Sequence, residues 1–81
     1  EVAEKLKIFP NPTQSTIYVS GMSQVNTLRF KIFSIEGKIY RTGTISNNSP
    51  IHIEELKPGV FWINVYSKKR NISYNTKFIK L

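Results

Sequence analysis

The clearest alternation of apolar and polar residues lies at residues 28–34, which read Leu-Arg-Phe-Lys-Ile-Phe-Ser. Leu28 and Phe30 fall on one face of an extended strand, and Arg29 and Lys31 fall on the opposite face. A period of two is typical of a strand that has one buried and one solvated face. The segment therefore predicts a β-strand that covers a core on one side.

Working outward from this segment, β-branched and aromatic residues dominate the chain, and no stretch repeats apolar residues at helical spacing. Turn residues recur at intervals of roughly 8–12 residues, the spacing of a sandwich or barrel. The other predicted strands are 6–9, 16–19, 39–45, 50–53, 60–66 and 72–81. About seven strands in one small domain predict an all-β fold, an antiparallel immunoglobulin-like β-sandwich.

The length of 81 residues allows one domain. We expect residues 1–5 to be the end of an upstream linker and residues 6–81 to form the domain. No charged segment followed by an apolar run opens the chain, so we expect either a cytosolic protein or a piece of a longer secreted chain. No apolar run approaches the roughly 18 residues of a membrane span, which predicts a domain that does not span a membrane.

The composition argues against chemistry at a catalytic centre. The chain has no cysteine, all five acidic residues are glutamate, and His52 is its one histidine. Serine or cysteine triads, and metal sites built from several His, Cys or Asp ligands, need residues that this chain lacks. We therefore predict no enzyme activity, no catalytic residues, no cofactor and no metal.

The turns carry the remaining local signals. Pro10-Asn11-Pro12 cannot continue a strand ladder and predicts a rigid turn or a switch between sheets. Gly37 and Gly59 follow predicted strands or turns where a positive φ is needed. Leu56 and Phe61 are predicted to belong to the core, and Trp62 to lie half-buried on the opposite face.

Four segments occur in an order that resembles the type A C-terminal sorting domain of cargo proteins exported by the type IX secretion system of Bacteroidetes-type bacteria. They are Ile8-Phe9-Pro10-Asn11-Pro12-Thr13, Phe33-Ser34-Ile35-Glu36-Gly37-Lys38, Leu56-Lys57-Pro58-Gly59-Val60-Phe61-Trp62-Ile63-Asn64-Val65 and Thr76-Lys77-Phe78-Ile79-Lys80-Leu81. Two positions depart from the family pattern: Ser34 stands nearest to the usual Asp, and Phe61 replaces the usual Tyr.

The resemblance implies a non-catalytic secretion signal. An upstream cargo would pass through the periplasm, outer-membrane secretion machinery would recognise the domain, and a sortase-like cysteine peptidase would then remove it. The cargo would become secreted or displayed on the cell surface. The residues expected to be recognised are Lys77, Phe78, Ile79, Lys80 and Leu81, and strand addition to this final strand is the expected mode. We expect the last two residues to fray and to contribute little to stability.

Two other functions stay open at the level of sequence. Trp62 and Tyr66, exposed together on one face, would favour an accessory module that binds a glycan or a protein. The second alternative is nucleic-acid binding, which the formal net charge of +7 favours. Lys68-Lys69-Arg70, Lys77 and Lys80 would then form one basic end of the domain. We expect no nucleic-acid partner, because the phenylalanines fall at mostly core positions (Phe30, Phe33, Phe61 and Phe78) and do not alternate with the basic residues.

Overall fold

A computed structural model describes residues 6–21, 27–46 and 49–81. The linker predicted at residues 1–5 lies outside the described residues. The described residues form seven strands: β1 Lys7–Phe9, β2 Thr16–Ser20, β3 Thr27–Ser34, β4 Ile39–Ser46, β5 Pro50–His52, β6 Gly59–Ser67 and β7 Ile72–Lys80. Each lies within a residue or two of a strand predicted from the sequence. The described residues include no helix long and apolar enough to cross a membrane.

The strands form two antiparallel sheets. One has the order β1-β2-β5 and the other has the order β4-β3-β6-β7. The first, second and fifth strands thus share one sheet, and the third, sixth and seventh share the other, as in immunoglobulin-like sandwiches. The predicted fold is confirmed, including the edge position of β5 and the central position of β6.

The core forms because each strand turns its apolar positions toward the other sheet. In β3 the burial alternates through the strand, with Leu28, Phe30 and Ile32 buried. The other buried apolar residues are Leu6, Ile17, Val19, Ile45, Ile51, Ile53, Leu56, Phe61, Ile63, Val65 and Phe78. This burial supplies most of the driving force for folding, since the chain contains no disulfide.

One aromatic residue does not follow the expectation. Phe33 was grouped with the core phenylalanines, but it lies half-buried on the outer face of the four-stranded sheet, directly opposite Trp62 of β6. Its neighbours Ile32 and Ser34 are the buried ones. The period of two in β3 places Phe33 on the same face as Arg29 and Lys31. The prediction that Phe33 belongs to the core was therefore wrong, and the alternation along the strand was enough to show this.

Two turn glycines have the backbone conformations expected of them. Gly37 has φ 94° in the β3–β4 turn, and Gly59 has φ 153° at the start of β6. Both values fall in a region that residues with a Cβ atom rarely adopt. The β6–β7 turn spans residues 68–71 and places Asn71 at φ 58°, a conformation that Asn tolerates better than most residues.

Candidate functional site: the last strand and the segment that covers its edge

The last strand, β7, forms one edge of the four-stranded sheet and pairs along its length with β6. Its alternation separates the five residues predicted for recognition into two groups. Lys77 and Ile79 are exposed, and Leu81 just after the strand is exposed as well. Phe78 is 0% exposed and Lys80 is 7% exposed. Only Lys77, Ile79 and Leu81 therefore present their side chains to a partner in this fold.

Phe78 anchors the strand to the core. Its ring stacks against that of Phe61 with 5.8 Å between centroids, and Tyr40 of β4 meets Phe61 edge-on at 5.5 Å. Phe61 itself is buried and pairs directly with Phe78 across β6 and β7. The aromatic position that departs from the family pattern thus forms part of an aromatic cluster that holds β7 in place.

Lys80 lies on the inner side of β7, next along the alternation from Phe78. Its ammonium group donates a hydrogen bond to the Leu81 carbonyl at 3.0 Å, and its methylene stem is enclosed by the fold. Lys80 also lies at the opposite end of the hairpin from residues 68–71, since eight residues of strand span about 26 Å. The expectation of one basic end made by residues 68–70, Lys77 and Lys80 is therefore wrong.

The Pro10-Asn11-Pro12 segment covers the outer edge of β7. Asn11 uses both ends of its side-chain amide: Nδ2 donates to the Lys77 carbonyl at 3.2 Å, and Oδ1 accepts from the Ile79 N–H at 2.9 Å. The Asn11 side chain therefore makes the two hydrogen bonds that the backbone of a neighbouring strand would otherwise make. The peptide bonds before Pro10 and before Pro12 are both cis.

Thr13 continues this cover with its backbone. Its N–H donates to the Ile79 carbonyl at 2.9 Å, and its carbonyl accepts from the Leu81 N–H at 2.8 Å. Thr13 is itself buried, and its hydroxyl donates to the Thr16 carbonyl at 2.6 Å. The chain therefore leaves β1, bridges the edge of the other sheet at Thr13 and returns to β2 beside β1, so the segment is a turn between two strands of one sheet.

Two expectations about the chain end are corrected by these bonds. The last residues lie within the hydrogen-bonded ladder and not beyond it, because Lys80 pairs with Gly59 on one side and is bridged to Thr13 on the other. Strand addition at residues 77–81 is also blocked in this fold, because Asn11 and Thr13 already bond the outward N–H and C=O groups there. No local pattern of residues predicts this cover, since Asn11 and its partners are 66 and 68 residues apart.

The remaining motif residues have structural roles. Ser34 closes the β3–β4 turn, because its hydroxyl accepts from the Lys38 N–H at 3.2 Å and its carbonyl accepts from the Gly37 N–H at 2.9 Å. A serine can therefore replace the family's aspartate here without loss of the turn. Leu56 is buried, and its N–H donates to the Ile53 carbonyl at 3.0 Å, which fixes the approach to Gly59.

Groups with catalytic or metal-binding potential do not converge in the described part of the chain. His52 is exposed on the edge strand β5. Residues 6–21, 27–46 and 49–81 contain no group of three or more His, Cys, Asp or Glu side chains placed to hold a metal ion. Glu55 forms an ion pair with Arg41 of β4, so this acid serves to connect the β5–β6 turn to the opposite sheet.

Trp62 and Tyr66 do share one face, the outer face of β6, where both are half-buried. Lys77 lies over the Trp62 ring at 5.7 Å from its centroid, a cation–π arrangement. This face carries both aromatic and basic side chains. Nothing in it, however, specifically favours the glycan-binding module considered above.

Comparison with known proteins agrees with the order of motifs. The sequence matches the family model described as the secretion system C-terminal sorting domain over residues 7–80. No curated protein matches the chain. The match extends from the first residue of β1 to the last residue of β7, so it includes every strand of the sandwich. The chain therefore belongs to the family of secretion system C-terminal sorting domains, the sorting signals of type IX secretion.

Proposed function

We propose that this domain is a non-catalytic secretion signal for a cargo protein that lies upstream in the same chain. The cargo would cross the periplasm, and outer-membrane secretion machinery would recognise the folded domain. The observation that carries the proposal is the family match over residues 7–80, all seven strands of the fold. The chain supplies few groups for chemistry of its own, since it has no cysteine, no aspartate and one histidine.

The recognised element that we propose is residues 77–81, read through the exposed side chains of Lys77, Ile79 and Leu81. Phe78 and Lys80 would act by holding the strand in position, because their side chains are buried. Reading by side chains is compatible with an edge already covered by Asn11 and Thr13, whereas reading by backbone addition would first require that cover to leave.

After export, the domain would be removed by a sortase-like cysteine peptidase, and the cargo would be released or attached at the surface. Mass spectrometry of an exported reporter tests this step. We expect the reporter to lack residues 6–81 in a normal strain and to keep them in a strain without the peptidase. An exported reporter that keeps the domain in both strains would contradict removal.

Export itself is tested by fusing residues 1–81 behind a signal peptide and a passive reporter, in a bacterium that has a type IX system. We expect surface delivery with the domain and none without it, or in a strain whose secretion machinery is deleted. Delivery of the reporter without the domain would contradict the proposal.

The recognised element is tested with Ile79→Ser combined with Leu81→Ser, which removes two exposed apolar side chains but no core residue. Export should fall while the melting temperature of the purified domain changes by only a few degrees, as expected for exposed positions. Ile35→Ser, at an exposed position in the β3–β4 turn, is the matched control and should export normally. Normal export of the double variant would place recognition elsewhere in the domain.

A further inference from the structure

The outer face of the four-stranded sheet carries a continuous row of side chains across all four strands. Ile39 of β4 lies opposite Phe33 of β3, Phe33 lies opposite Trp62 of β6, and Trp62 lies opposite Lys77 of β7. In the next row, Val60 lies opposite Ile79. Lys31 lies on the same face of β3, two residues before Phe33, and lines a depression together with Phe33 and Ile39. We name these seven residues the outer patch: Lys31, Phe33, Ile39, Val60, Trp62, Lys77 and Ile79.

The outer patch is unusually apolar for a solvated surface. Ile39 is 53% exposed, Ile79 is 45% exposed and Val60 is 41% exposed, and the half-buried rings of Phe33 and Trp62 lie between them. Single exposed apolar residues need no explanation, but a contiguous group of them on a small domain is typical of an interaction site. Both the centre of the patch and its margins are therefore available to a partner.

The outer face also has two shallow depressions, which lie on either side of Trp62. One is lined by Asn11, Val60, Trp62, Lys77 and Ile79, together with neighbouring residues of β7. The other is lined by Lys31, Phe33, Ile39, Asn64 and Asn75, with Gly37 and Ser73 at its margin. The exposed amide of Asn75, which lines both depressions, and the ammonium groups of Lys31 and Lys77 can bond to polypeptide groups beside the apolar contacts.

All charged side chains on the four strands of this sheet are basic. The four strands β3, β4, β6 and β7 contain no Asp or Glu, and their basic residues are Arg29, Lys31, Arg41, Lys77 and Lys80. Arg41 is paired with Glu55, and Lys80 is buried, which leaves Arg29, Lys31 and Lys77 toward the outer face. Negative charge on a partner is favoured at this face, and positive charge is strongly disfavoured, because like charges placed opposite one another at an interface repel.

We infer that the outer patch is the docking surface for an acidic protein surface of the export machinery, with apolar side chains of the partner seated on either side of Trp62. This inference rests on the proposed function and extends the recognised element from β7 across the sheet to β3 and β4. A second copy of this chain does not fit, because it would oppose one basic sheet to another. An anionic membrane would satisfy the charge but not the two depressions lined by amides.

The test uses two variants that leave residues 77–81 intact. Lys31→Glu reverses a charge two strands away from β7, and Val60→Ser removes an exposed apolar side chain beside Trp62. In the reporter assay, each should lower export at least about tenfold, since an introduced repulsive charge or a lost contact acts directly on binding. Their matched controls are Lys57→Glu and Ile35→Ser, at exposed positions outside the patch, and these should export like the parent.

The melting temperature of each purified domain separates docking from folding. If Lys31→Glu proves unstable, Lys31→Gln decides in its place, because it removes the charge without adding a repulsive one and leaves residues 77–81 intact. Folded patch variants that export normally overturn the inference and leave the proposed function intact. Failure of the intact domain to export the reporter overturns the proposed function instead.

Two further measurements exclude the other occupants. Phosphatidylglycerol vesicles should bind the Lys31→Glu variant and its charge-matched control Lys57→Glu equally well, and the purified parent should elute as a monomer. Vesicle binding that falls together with export in Lys31→Glu but not in Lys57→Glu would make the patch a membrane contact. A parent dimer that the patch variants dissociate would make it a self-association surface. Either result overturns the inference.

Discussion

Gly43 lies in the interior of β4, directly opposite Phe30 of β3. A Cβ atom at Gly43 would lie 2.9 Å from Cε2 and 3.1 Å from Cζ of the Phe30 ring. The glycine therefore allows a buried aromatic ring to lie against the backbone of the neighbouring strand. Glycine weakens a strand interior in general, so its presence here is explained by this close approach.

Gly43→Val should destabilise the domain by about 1–3 kcal/mol, because the added methyl groups force the Phe30 ring out of its place in a close-packed core. The gain in strand propensity is smaller than this cost. Chemical denaturation of the purified domain measures the change. Thr44→Val, at the exposed neighbouring position, is the control and should alter stability by no more than about 0.5 kcal/mol. A Gly43→Val domain as stable as the parent would mean that Phe30 is free to move.

At the scale of elements, the fold closes its last strand with a segment that is not a strand. An edge strand with unpaired backbone groups can associate with other chains, and natural proteins cover such edges. Here the cover comes from Asn11 and Thr13, which bond alternate outward groups between Lys77 and Leu81. Because β1, β2 and β7 all meet at this segment, it also connects the two sheets at one end.

Asn11→Ala should expose the Ile79 N–H and the Lys77 carbonyl. Two exposed hydrogen bonds are lost, so we expect a loss of about 1–2 kcal/mol and faster hydrogen exchange at Ile79. Asn11→Asp keeps an acceptor for the Ile79 N–H but sets a carboxylate oxygen against the Lys77 carbonyl. That variant should therefore retain some protection of the Ile79 amide and still be less stable than the parent.

The matched control for this prediction is Asn75→Ala, which removes an exposed asparagine from the same strand. It should leave the exchange of the Ile79 amide unchanged. Equal protection of Ile79 in the parent and in Asn11→Ala would show that the side chain of Asn11 does not cover the edge in solution.

At the scale of the whole molecule, one small core supports both the fold and the signal. A domain of 81 residues has a total stability of about 4–12 kcal/mol. Its core includes Phe61, which contacts Phe78 of the recognised strand, and Leu56, which precedes the turn into β6. The position of the exposed side chains on β7 therefore depends on the packing beneath them.

Leu56→Ala and Phe61→Ala should each cost about 2–5 kcal/mol, because each leaves a cavity in the core. Export of the fused reporter should fall together with the thermal transition of the domain. Ile35→Ala, at a position that is 68% exposed, should change neither. If Phe61→Ala stayed folded and still blocked export, Phe61 would contact the partner directly, contrary to its burial in the sandwich.

The number of strands, the alternation of buried and exposed residues within each strand, and the sandwich class follow from local patterns in the sequence. Alternation in β3 and β6 is imposed by backbone geometry within a few residues, and it correctly predicted the burial of Leu28, Phe30 and Phe61. The turns at Gly37 and Gly59 are local as well, because a positive φ depends on the residue itself. Such features can be predicted before any long-range contact is known.

Tertiary structure alone decided how the strands share faces and edges. The cover of β7 by Asn11, the burial of Lys80 and the sheet free of acidic residues all depend on which strands are neighbours. Those neighbours are brought together by burial of apolar surface, a force without direction. The alternation that marks a buried face therefore does not show which strand lies beside which. The exposed side chains of β7 and the outer patch are therefore products of strand order, whereas the strands themselves are products of local sequence.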